Sequence, residues 1–259
     1  MKDIQNEKDY RNIPLNKVGV SDVRYPIILK NKENGVQHTI GKVNMFVNLP
    51  KDFRGTHMSR FIEIINSHAH RMNLQNVREI LEDMKQKLKA SEAHMEMYFP
   101  YSIEKSAPVT GIKSQMVIDC AFISSLDKDM KFDFILVARI PVQTLCPCSK
   151  AISEYGAHNQ RAIVEISVRS KKRIWIETLV EIAEKAASSP VYPLLKRKDE
   201  KFVTESAYEN PKFVEDVARD IAIALREIPN MEWYQIGVTS EESIHNHNAY
   251  SCIEWSVEN

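Results

Sequence analysis

The sequence predicts an α+β fold, with antiparallel sheets carrying helix pairs on one face. Three observations predict it. Long stretches alternate apolar and polar residues with a period of two. Other stretches carry apolar residues at helical spacing. The order strand-strand-helix-helix-strand-strand runs through the chain twice.

Residues 1–17 are polar and read as a flexible N-terminal segment. The first module, 18–127, opens with extended segments near 24–28 and 37–48; in the second, Ile40, Val43, Met45 and Val47 mostly alternate. Residues 50–55 form a loop, and Thr56 is the expected N-cap of a helix with Phe61, Ile64, Ile65 and His68 on one face. A second helix carries Leu74, Val77, Leu81, Met84 and Leu88. Strands follow at 93–99 and 112–125, where Met116, Ile118, Cys120 and Phe122 alternate.

The second module, 128–259, repeats that order. A long strand covers 130–145 (Phe132, Phe134, Leu136, Ala138, Ile140), and another covers 162–169, with Ala162, Val164, Ile166 and Val168 on one face. A helix near 173–188 carries Ile176, Leu179, Val180 and Ala183. The next, near 211–227, is expected to have Asn210 as cap and Pro211 at its first position, with Val214, Val217, Ala218, Ile221 and Leu225 as its stripe and Pro229 beyond its end. Strands at 233–238 and 250–257 close the chain. Such long strands leave exposed edges, which pairing of modules and of chains would cover, so oligomerisation is expected.

At 259 residues and 43% hydrophobic, the chain has ample material for a core. Lys+Arg and Asp+Glu both number 35, so net charge offers no steering toward nucleic acid or an anionic membrane. No apolar run approaches the roughly 18 residues that span a bilayer. The N-terminus has no apolar core of a secretory signal. All four cysteines are read as reduced thiols of a cytoplasmic protein.

The chemistry concentrates in Leu145-Cys-Pro-Cys-Ser-Lys150 and Tyr155-Gly-Ala-His-Asn-Gln-Arg161. Cys146 and Cys148, at i and i+2 in extended backbone, would point to one side, and His158 follows closely. Sulfur with imidazole suits zinc, iron or manganese. The same thiols also fit two small buried apolar groups, or a strained redox pair. His245 and His247 form a second cluster, which reads equally as a solvated turn. Glu200 sits in a charge run, and Glu215 in the first turn of a helix, where the dipole favours a carboxylate. Spacing alone singles out neither. Arg54, His57 and Arg60 lead into a helix, an arrangement that suits a phosphate or an ordinary capped helix with surface arginines. There is no Walker loop, dinucleotide glycine fingerprint or Gly-x-Ser-x-Gly elbow, which removes kinases, dehydrogenases and common hydrolases.

Together, Phe53-Arg-Gly-Thr-His-Met-Ser-Arg-Phe61, the Cys146 and His158 motifs, Asp199-Glu-Lys-Phe-Val-Thr-Glu205, Tyr208-Glu-Asn-Pro-Lys-Phe-Val-Glu-Asp216 and His245-Asn-His247 resemble the type IB GTP cyclohydrolases. The resemblance runs from about residue 15 to the end. It implies tandem tunnelling-fold modules that assemble into barrels, as a homotetramer with sites between subunits. It implies conversion of GTP and water to formate and 7,8-dihydroneopterin triphosphate, the first step toward tetrahydrofolate. Carried over by position, it implies one divalent metal per site (zinc, manganese or iron(II)) on Cys146, His158 and Glu200. Glu215 would grip the guanine edge, and His245 and His247 would stand near the reacting imidazole ring. Arg54, His57 and Arg60 would take the triphosphate. A metal on these ligands would activate water for attack at C8, and Cys146 would act through the metal. Other readings are an archaeal-type cyclohydrolase giving a cyclic phosphate, a nitrile reductase with a cysteine nucleophile, a non-catalytic metal- or purine-binding relative, or a purely structural oligomer.

Overall fold

The structure, a computed structural model, describes residues 5, 7–33, 35–68 and 74–257. Its strands are β1 (Leu15–Lys30), β2 (Val36–Leu49), β3 (Ala93–Ser106), β4 (Lys113–Leu126), β5 (Phe132–Leu145), β6 (Asn159–Ser170), β7 (Ser189–Pro190), β8 (Met231–Ser240) and β9 (Ala249–Ser256). Its helices are α1 (Met58–Ser67), α2 (Leu74–Leu88), α3 (Pro147–Ile152), α4 (Ile176–Ala186), α5 (Arg197–Glu209) and α6 (Val214–Arg226). The strands form a nine-stranded sheet in the order β1-β2-β3-β4-β5-β6-β8-β9, with β7 paired to β5. The first ββααββ series matches the expectation, and the second carries α3, β7 and α5 in addition.

Two compact units form: Met1–Pro100 with Ala121–Leu136, and Tyr101–Cys120 with Val137–Asn259. Strands β3, β4 and β5, at 14 residues each, contribute to both units.

In the first unit, β1 and β2 pair antiparallel from Leu15↔Leu49 to Lys30↔Val36. Strand β1 therefore begins within the segment expected to be flexible. Of that segment, residues 1–4 and 6 lie outside the described residues, while Lys8 bridges to Phe53. Gly19 is required where β1 meets β2: a Cβ there would stand 2.0 Å from the Met45 carbonyl oxygen. Alternation along β2 buries Val43, Met45 and Val47, and along β3 it buries Ala93, Met95, Met97 and Phe99. Phe61, Ile64 and Ile65 of α1 and Val77, Ile80, Leu81 and Met84 of α2 are also buried. Each such side chain contributes about 1.5–3 kcal/mol by leaving water. The N-cap of α1 is His57, not Thr56, and it makes no side-chain cap bond.

In the second unit, β6 pairs with β8 from Ala162↔Ser240 onward, and β8 pairs with β9. Ala162, Val164, Ile166 and Val168 face the core with Ile236 and Val238, under Leu179, Val180 and Ala183 of α4 and Val217, Ala218, Ile221 and Leu225 of α6. Helix α6 starts three residues later than Pro211 suggested. Lys212 N donates to the Leu145 carbonyl at 3.1 Å, which holds the chain extended there, and Asp216 then accepts from Phe213 N at 3.0 Å. Asn210 instead closes α5, its side chain donating to the Ala187 carbonyl.

Candidate functional site

The chain leaves β5 at Leu145 and turns at once into α3. Cys146 is the N-cap, with φ −68° and ψ 116°, and Pro147 occupies the first helical position. The fixed φ of proline fits that position, and its missing N–H is not needed there. This corrects the expectation of two thiols on one strand face: Cys146 is half-buried and precedes the helix, while Cys148 is exposed in its first turn. All four cysteines are free thiols. Cys146 Sγ accepts from Ser149 N at 3.4 Å.

His158 lies directly before β6, after a turn in which Gly156 adopts φ +131°, a conformation side chains disfavour. Its carbonyl accepts from Cys146 N at 3.1 Å, so the two segments are hydrogen-bonded to each other. His158 Nδ1 meets Gln160 Oε1 at 2.9 Å. The orientation of that amide follows from its other end, where Gln160 Nε2 faces Glu242 Oε1 at 3.4 Å and Thr144 Oγ1 at 3.3 Å. A carboxylate only accepts, so the Gln160 nitrogen points to Glu242 and its oxygen to His158. Nδ1 then carries the proton, and Nε2 keeps its lone pair. Glu242 Oε2 is 3.9 Å from Nδ1, and both side chains are only 13% exposed. Sequence reasoning missed Gln160 and Glu242. The signal for Gln160 was its place two residues along the strand from His158.

Glu200 is exposed in the first turn of α5. Its neighbour Asp199 is buried and anchors that turn to the β3–β4 loop. It accepts from Val109 N (2.9 Å), Thr110 N (2.8 Å), Thr110 Oγ1 (2.8 Å) and Lys196 N (2.9 Å). Burial pushes this carboxyl up, but the hydrogen bonds from Thr110, Lys196 and Val109 outweigh it and hold it at about 2. At the other end of α5, Lys150 of α3 donates to the Tyr208 carbonyl and lies 4.4 Å from the centre of its ring. Glu200 and Tyr208 are separated by roughly 12 Å along a helix rising 1.5 Å per residue. Among the described residues, Glu200 does not join Cys146 and His158 in a three-donor cluster within the chain.

Glu215 is exposed in the first turn of α6. His245 and His247 are exposed in the loop between β8 and β9, with their rings stacked at 5.1 Å. Arg54, His57 and Arg60 belong to the first unit. Arg54 pairs with Glu7 at 2.7 Å, Arg60 donates to the Lys87 carbonyl at 3.1 Å, and His57 caps α1.

Among the described residues, no three His, Cys, Asp or Glu side chains converge within the chain as an ion site. Two donors nevertheless have the chemistry of one: a thiol sulfur and an imidazole nitrogen whose partner nitrogen is already engaged, the usual state of a ligating histidine. Also among the described residues, no helix is long and apolar enough to cross a membrane.

The chain is 53% identical to GTP cyclohydrolase FolE2 of Kosmotoga olearia over 254 residues, covering 98% of each chain. It is 54% identical to GTP cyclohydrolase FolE2 of Thermosipho melanesiensis over 257 residues, covering 99% of each. Among solved structures it resembles the urate oxidase of Bacillus sp. TB-90, with a TM-score of 0.54, 9% identity, and coverage of 94% of this chain and all of that one. That likeness establishes the α+β fold alone. A family model described as type I GTP cyclohydrolase folE2 matches residues 1–251, and the chain belongs to that family.

Proposed function

We propose that this chain is a GTP cyclohydrolase I, converting GTP and water to formate and 7,8-dihydroneopterin triphosphate, the entry to tetrahydrofolate. The observation that carries the reading is the seating of Cys146 against His158, with Nε2 of the imidazole left available, in a chain of this family. Cys146 and His158 would hold a divalent ion, zinc, manganese or iron(II), with Glu200 as third ligand. Glu200 does not meet the pair within one chain, which fits a site completed between subunits of a homotetramer. Exposed Ile152, Tyr155 and Ile244 are apolar surface that a second copy would cover. The tunnelling-fold barrels and a cytoplasmic location belong to the same proposal.

The bound ion would supply Lewis-acid activation of water. The chain's own residues do the rest. Glu215 accepts the N1–H and 2-amino protons of guanine, two charge-assisted hydrogen bonds that fix where C8 points. His245 and His247, exposed in the loop between β8 and β9, hold or pass the proton at N7 as the C8–N bond opens. Water adds at C8 and the ring opens; a second hydrolysis releases formate, and the ribose then rearranges and closes the pterin ring with loss of one water, so that one water is consumed overall. Arg54, His57 and Arg60 are proposed for the triphosphate, for which their present partners would have to yield in part.

The test is to supply metal-free protein with GTP and zinc, manganese or iron(II) in turn, following formate and pterin fluorescence. Formate together with a fluorescent triphosphate pterin supports the assignment. A cyclic phosphate product, NADPH consumption, or binding without formate would replace it with one of the other readings. Cys146→Ala should abolish metal binding and formate together; turnover without metal would reject the scheme.

A further inference from the structure

We propose that Ser149 is the positioning residue that locks the Cys146 turn to the start of β6, fixing the spacing of the two donors. The inference rests on the metal reading above. Ser149 contacts both segments. Its N–H donates to Cys146 Sγ at 3.4 Å. Its hydroxyl donates to the Cys146 carbonyl at 3.1 Å. The same oxygen accepts from His158 N at 3.2 Å. The circuit closes with Cys146 N donating to the His158 carbonyl at 3.1 Å.

A serine hydroxyl has one proton to give and lone pairs to accept with, and here both capacities are used. Both backbone groups of His158 are thereby committed, its N–H to Ser149 and its carbonyl to Cys146. The segment between them, Lys150 to Ala157, includes the exposed Ile152 and Tyr155, so the core does little to hold this spacing. The bridge is local and polar. Ser149→Ala removes the hydroxyl while keeping the N–H that faces the sulfur. It therefore separates the spacing role from the direct contact with the thiol. Ser149→Thr keeps the hydroxyl.

The experiment uses the full chain, stripped of metal and titrated with cobalt(II). The sulfur-to-cobalt charge-transfer absorption reports a thiolate on the ion, and competition with a chelator gives the affinity. The wild type should show the band, and Cys146→Ala should lack it. Ser149→Ala should keep the band but bind about 10–100-fold more weakly, as when an outer partner of a ligand is lost. Its melting temperature should stay near that of the wild type, since an alanine suits α3. Ser149→Thr should restore the affinity. A wild-type band with Ser149→Ala binding equally well would overturn this inference and leave the metal reading standing. So would Ser149→Thr binding as weakly as Ser149→Ala. A wild type without the band would end the metal reading and this inference together.

Discussion

Replacing Gln160 by methionine tests whether the polar chain behind His158 sets its tautomer. Methionine nearly matches glutamine in volume and removes only the amide. The amide oxygen stands 2.9 Å from His158 Nδ1 and is the group that keeps the proton there. Glu242 is the nearest replacement, but its Oε2 is 3.9 Å away, beyond hydrogen-bond reach without movement. Freed of its partner, the imidazole can carry its proton on Nε2, which then cannot bind a cation. Loss of such an outer partner costs about 10–100-fold in metal affinity. At 1.4 kcal/mol per decade, that is about 1.4–2.8 kcal/mol. The assay is competition for zinc between the metal-free variant and a chromogenic chelator, with formate release measured again at saturating metal. The zinc Kd should rise, and the rate at saturation should fall by less. An unchanged Kd would refute the reasoning, because it would show that His158 is oriented by something other than Gln160.

Glu215→Gln should raise KM for GTP by about 10–100-fold, since a hydrogen bond to a charged group is worth about 1.5–3 kcal/mol; steady-state kinetics at saturating metal check this, and a wild-type KM would remove the guanine-anchoring role. Gly19→Ala should destabilise the first unit by about 1–3 kcal/mol, because the new Cβ meets backbone at 2.0 Å and β1 must move off β2; an unchanged urea midpoint would contradict it. Asp83 accepts from His68 at 3.0 Å and Lys87 at 3.1 Å. Burial pushes its carboxyl up, but these two partners outweigh it and hold it below the ordinary 3.8. Its folded-state value is depressed, so this contribution is present above 3.8 and is lost as pH falls through the folded value. Asp83 is partly exposed, and discounted for solvent screening the contribution amounts to about 0.2–1 kcal/mol. Asp83→Asn should therefore lower stability by about that amount at neutral pH, with the gap to the wild type closing as pH falls through the folded value; an equal gap at all pH values in a melting-temperature profile would contradict this.

Periodic burial made much of the fold legible. Ala162, Val164, Ile166 and Val168 alternate because one face of β6 is core, and the stripe from Val214 to Leu225 winds at helical spacing because one side of α6 is core. Helix α5 was illegible for the converse reason. Its buried residues are Asp199 and Ala207, so no apolar period marks it, and the run around Glu200 read as solvated charge. The α3 turn was missed because cysteine is not among the usual N-capping residues, although Pro147 at the first position was the available sign. The Gln160–Glu242 contact could not be read at all. The residues are 82 apart in sequence and meet because the β6–β8 register continues past Ala162↔Ser240, with Glu241 N donating to the Arg161 carbonyl at 2.9 Å. Cys146, His158, Glu200 and Glu215 were assigned together by resemblance to a family, and the structure joins the first two by a direct backbone hydrogen bond.

Helix α5 is pegged at its two ends, by Asp199 at the start and by Lys150 and Asn210 at the finish, with almost no oily underside between. Helix α6, by contrast, sinks six side chains. Elements with little apolar contact open at lower free energy than the rest of a domain. The amide protons of α5 should accordingly trade with deuterated solvent well before those of α6. Each such excursion carries Glu200 with it, so whatever grips that carboxylate also slows the isotope clock of the whole helix.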